Sequence, residues 1–88
     1  MKTKELPKWF DGELYVKGDV VKNPYSGDKY ELNAAELSMY DFIMGAQFTI
    51  DRQGGVFNPA TSKLQQQMAK GLSWFRSANP EAYMILLD

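Results

Sequence analysis

The chain has 88 residues, 44% hydrophobic and 24% charged, with 10 basic and 11 acidic side chains and a formal charge of −1. That length holds one hydrophobic core, so a single domain over 1–88 is expected, and 2 Trp, 5 Tyr and 5 Phe speak against a segment that stays solvated. No Cys and no His are present, which removes disulfides, thiolate metal sites, Cys nucleophiles and the commonest general base, while the near-neutral charge weighs against a general duplex binder.

Residues 1–8 form a polar lead in which Lys2, Lys4 and Lys8 stand against Glu5 alone; a flexible basic arm is expected there. A β-meander follows over 9–32. Trp9-Phe10 reads as a hydrophobic anchor and Asp11-Gly12 as a turn. Glu13–Lys17 is rich in strand formers, Gly18-Asp19 suits a two-residue turn with Gly at positive φ, and Val20–Asn23 is the second strand. Asn23-Pro24-Tyr25-Ser26-Gly27-Asp28 is a strong turn signal, because Pro fixes φ, Asn bonds its own backbone and Gly27 accepts a left-handed conformation. Lys29–Leu32 returns as a third strand, with Tyr30 and Leu32 on one face and Lys29 and Glu31 on the other.

The rest, 33–88, reads as helical. Asn33 is a good N-cap with Glu36 placed for a capping box, and Leu32 and Leu37 occupy the positions of a hydrophobic staple. The first helix should run from Ala34 to about Asp51, before Gly54-Gly55. Leu37, Met39, Tyr40, Ile43 and Met44 share one broad face, with Phe42 and Phe48 outside its centre. A second helix starts at Asn58-Pro59 and carries a stripe of Leu64, Met68, Leu72 and Phe75. Asn79-Pro80 starts a short third helix, Glu81–Leu87, although its last four apolar residues read equally as a terminal strand. The expected fold class is therefore α+β: a three-stranded antiparallel meander, two main helices and a short C-terminal helix.

Catalytic signals are sparse. Glu36 with Asp41, Asp11 with Glu13, and Asp51 are the candidate acid–base carboxylates, yet none has a diagnostic spacing and capping explains Glu36. Gly54-Gly55 lacks the Lys-Ser/Thr of a phosphate loop, and Asp19, Asn23 and Asp28 lack the spacing of a calcium loop. No enzyme activity, cofactor or metal is expected. Trp74 lies roughly 120° from Met68 on the helical wheel, off the stripe. It either packs under the sheet or serves as an anchor for a partner. With Phe42, Phe48, Tyr83 and Leu86 it makes the set of interaction candidates. The alternative is a single-stranded nucleic-acid surface built from Trp9, Tyr15, Lys4 and Lys8.

The segment Gly18–Gly45, GDVVKNPYSGDKYELNAAELSMYDFIMG, resembles small uncharacterised proteins carried by marine tailed bacteriophages. Trp74-Phe75 with Asn79-Pro80-Glu81-Ala82-Tyr83-Met84 is similar to the ending of such proteins. The resemblance implies an accessory or structural phage role and brings no catalytic residues. The expected function is thus a non-enzymatic interaction module that self-associates or binds another protein. No apolar run approaches the ~18 residues of a membrane span. No signal-peptide pattern is visible, so the expected location is cytoplasmic: the host cytoplasm if phage-encoded, with the virion left open.

Overall fold

A computed structural model describes residues 5–10, 12–54 and 58–87. Strands β1 (Asp19–Lys22) and β2 (Lys29–Leu32) form an antiparallel hairpin, followed by α1 (Ala34–Arg52), α2 (Ser62–Ala78) and α3 (Pro80–Leu86). A single 3-10 turn, Pro59–Thr61, leads into α2. The class is α+β, with a sheet of two strands.

Asn23 organises the hairpin. Its Oδ1 accepts from the amides of Tyr25 (2.7 Å) and Ser26 (3.2 Å), and its carbonyl accepts from Gly27 N–H at 2.9 Å. Gly27 has φ +83°, which a residue without Cβ adopts without strain. Asn23 Nδ2 reaches the Ile85 carbonyl (2.9 Å), so one side chain also ties the hairpin to α3. The pairing sets Asp19 opposite Leu32 and Val21 opposite Tyr30. Side chains alternate across a strand, so Val21, Tyr30 and Leu32 point inward and Val20, Lys22, Lys29 and Glu31 outward.

The third strand expected over Glu13–Lys17 does not form. The Tyr15 amide donates to Ser38 Oγ on α1 (3.0 Å) instead of to a ladder. Gly18 does not have positive φ and makes no hairpin turn, and Asp19 already belongs to β1. A Cβ on Gly18 would lie 1.9 Å from the Leu32 carbonyl oxygen. The glycine is there because two backbones touch, a long-range requirement that looks like a turn signal from the sequence.

The caps of α1 and α3 form as expected, whereas Asn58 caps the 3-10 turn ahead of α2, whose own N-cap is Thr61. Asn33 Oδ1 accepts from Glu36 N–H (2.8 Å) and Glu36 Oε1 accepts from Asn33 N–H (3.0 Å). α1 ends one residue beyond the expected Asp51, with Gly54 at φ +97°. Asn58 Oδ1 accepts from Ala60 N–H and Asn79 Oδ1 from Ala82 N–H, each ahead of a Pro at the helix start. Residues 80–86 are helical, so the strand alternative for the terminus falls away.

Leu32, Met39, Tyr40, Ile43, Trp74, Phe75, Ala82 and Leu86 form the core. Fully burying a side chain such as Leu32, Ile43 or Phe75 contributes about 1.5–3 kcal/mol. The line of contact between α1 and α2 runs through Gly71, where an added Cβ would sit 3.0 Å from Met39 Sδ and 3.3 Å from Ile43 Cγ1. The buried stripe of α2 is therefore Gly71, Trp74 and Phe75, with Leu64, Met68 and Leu72 half-buried beside it. The stripe expected from large apolar residues is rotated, because a glycine marks its centre.

The lead is docked from Glu5 onward. Leu6 and Pro7 are half-buried, the Glu5 carbonyl accepts the Trp74 indole N–H (2.8 Å), and Phe10 N–H bonds Pro7 O (3.1 Å). The flexible arm expected over 1–8 is therefore not found at residues 5–8, and residues 1–4 lie outside the described residues. Lys4 and Asp11 lie outside the described residues.

Candidate interaction surface

The five interaction candidates do not gather into one patch. Trp74 (7% exposed) and Leu86 (4%) are inside the core, so of the two readings of Trp74 packing within the fold holds and neither residue is open to a partner. The physical reason for Trp74 is that its helix is covered by the N-terminal lead as well as by α1 and α3, so a wider arc of it is dry. Phe42 is half-buried in an aromatic cluster, with ring centroids 5.8 Å from Trp9 and 5.5 Å from Phe10. Tyr83 is half-buried under the Arg76 guanidinium, 5.9 Å from its centroid. Phe48 alone is open, at 62%, with Arg52 5.3 Å above its ring.

The nucleic-acid candidates fare similarly. Trp9 packs on Phe42, Tyr15 is half-buried with its amide tied to α1, and Lys8 is exposed. The paired residues present Val20, Lys22, Lys29 and Glu31 outward, and the exposed ring of the hairpin, Tyr25, stands in the turn beyond them.

The carboxylates are structural or apart. Glu36, buried at 8%, accepts from Asn33 N–H with Oε1 and from Asn79 Nδ2 with Oε2 (3.2 Å). One carboxylate thereby joins the cap of α1 to the cap of α3. Asp41, five positions on, sits about 140° around the helix and is exposed. Asp51 accepts from Gln47 Nε2 (2.9 Å). Among the described residues, no group of three His, Cys, Asp or Glu side chains could hold a metal ion. A cleft of about 370 Å³ lies between the hairpin tip and the helices, walled by Met44, Met68, Leu72 and Leu87 with Asp51 as its acid.

Three tyrosine hydroxyls are held above the ordinary value of 10.0. Burial raises Tyr40. Burial followed by the Asp41 charge raises Tyr15, and burial followed by a hydrogen bond to Glu81 raises Tyr30. Their protonated forms are favoured by folding. That contribution is complete below the unfolded value of 10.0 and is lost as pH rises through it toward the folded values. The thermal midpoint should therefore fall as pH is raised through that window, above about 10, with tyrosinate absorbance developing late. A midpoint that is flat across that window would show these hydroxyls to be unaffected by folding.

Most of the open apolar side chains fall in one short stretch of the chain. Of six large hydrophobics left open among the described residues, Leu14 (69%), Val16 (94%), Val20 (52%) and Tyr25 (95%) all lie within 14–25, on and around β1. None of them was among the candidate binding residues. The adjacent valines at 20 and 21 were the available signal, since a strand must turn one of two neighbours outward. No helix among the described residues is long and apolar enough to cross a membrane. No protein-family model, no curated protein and no solved structure matches the chain.

Proposed function

We propose that this chain is a non-enzymatic interaction module that self-associates, and that the surface it uses is the open side of the hairpin. The observation that carries the reading is the clustering of Leu14, Val16, Val20 and Tyr25 on and around one strand. Scattered single apolar residues need no explanation, whereas four within one stretch of twelve residues on a small domain favour a contact site there. A two-stranded sheet is also marginal by itself and gains from further pairing. The likeness of Gly18–Gly45 to phage-carried proteins supports an accessory role of this kind. Solution mass by light scattering over a concentration series tests it. The expected result is a mass twice 10.0 kDa or a higher multiple, stable on dilution into the micromolar range. A monomer throughout would end the reading.

A further inference from the structure

The ladder alternates between pairs that exchange backbone hydrogen bonds and pairs that do not. Asn23 N–H donates to Asp28 O (2.8 Å), so residues 23 and 28 belong to the bonded kind. Counting back along the register, Val21 with Tyr30 and Asp19 with Leu32 are bonded pairs, and Val20 with Glu31 and Lys22 with Lys29 are not. The amides and carbonyls of Val20 and Lys22 therefore point away from β2, along an edge that no other strand covers among the described residues. The geometry agrees: the Val20 amide is held by the neighbouring Asp19 carboxylate at 2.7 Å, an exposed local bond.

We infer that a second copy of this chain pairs with this edge, β1 against β1 and antiparallel, about a two-fold axis at Val20; this rests on the self-association reading above. Facing residues in a sheet share a face, so the axis must pass through a residue and not between two. An axis at Asp19 sets two carboxylates against each other, and one at Lys22 sets two ammonium groups against each other; both are unfavourable. Val20 and Val21 remain. An axis at Val21 places Val20 opposite Lys22 of the second copy. An axis at Val20 places the two Val20 side chains together on the outward face and lets Val20 exchange both bonds with its counterpart. The Asp19 carboxylate releases the Val20 amide, and the facing carbonyl replaces it.

The chain has no Cys, so Val20→Cys introduces a single thiol. Facing Cα atoms in a bonded antiparallel pair lie about 5.5 Å apart, within the disulfide range of about 4.4–6.8 Å. Under mild oxidation Val20→Cys should form a covalent dimer at least tenfold faster than Phe48→Cys, an exposed control on α1. Val20→Pro removes the outward amide without removing a bond to β2, and a Pro is tolerated on an edge in that position. It should keep wild-type circular dichroism and halve the solution mass; Val20→Lys, which opposes two charges, should do the same and serves if the proline variant does not fold. A wild-type dimer with Val20→Cys no faster than Phe48→Cys, and with Val20→Lys still dimeric, would overturn the β1 edge while leaving self-association in place. A wild-type monomer would overturn both.

Discussion

Replacing Glu36 with Ala is expected to destabilise the fold by about 3 kcal/mol, from the loss of a reciprocal cap and of a buried charge-assisted bond. The carboxylate is 8% exposed and serves two donors, the Asn33 amide and Asn79 Nδ2. Its loss therefore loosens the start of α1 and the junction of α2 with α3 together. For a domain of this size the thermal midpoint should drop by roughly 15 °C. Glu36→Gln keeps an acceptor oxygen but not the charge near the α1 N-terminus, so about half the loss should remain. Calorimetry on the two variants checks this. A change within about 0.5 kcal/mol for Glu36→Ala, the scatter of ordinary surface substitutions, would show that the two caps do not depend on the shared carboxylate.

Gly18→Ala should cost a similar amount, about 3 kcal/mol, at the upper end of overpacking effects. All three atoms nearest to its added Cβ are backbone: Leu32 O at 1.9 Å, Asn33 Cα at 2.8 Å and Leu32 C at 2.9 Å. No rotamer change relieves that contact, so the first pair of the hairpin must separate where Leu32 enters α1. Gly27 is the informative comparison. It has φ +83° and nothing within 4 Å of its Cβ position, so Gly27→Ala should cost only the left-handed penalty of about 1–2 kcal/mol. Asn substitutions separate the two cases. Asn tolerates positive φ, so Gly27→Asn should be mild and Gly18→Asn as damaging as Gly18→Ala. Chemical denaturation would read this; a well-tolerated Gly18→Asn would restore the turn role expected of that residue.

The parts of the fold that were legible in the sequence are those set by near neighbours. Asn33 with Glu36 and Asn79 with Pro80 start helices where expected, because a cap is satisfied within its own turn, whereas Asn58 with Pro59 starts a 3-10 turn and α2 begins only at Ser62. The Asn23–Asp28 loop is likewise self-contained. What failed depends on contacts distant in the chain. Gly18 is small because of Leu32, not because of a turn, so no turn at Gly18-Asp19 folds Glu13–Lys17 back on β1. Trp74 is buried because residues 5–10 fold over it, a partnership no periodicity on α2 could reveal. Glu36 was legible as a cap, but its second role needed the position of Asn79. The outward direction of Val20 follows only once the loop fixes the hydrogen-bond parity of β1.

The most direct measurement is residue-resolved amide hydrogen exchange across a concentration series. If a second copy pairs with β1, Val20 and Lys22 are protected wherever the mass is that of a dimer and lose that protection on dilution to the monomer, while Val21 and Tyr30, already bonded within the hairpin, stay constant. Exchange at Val20 and Lys22 that is fast and independent of concentration would contradict pairing along this edge.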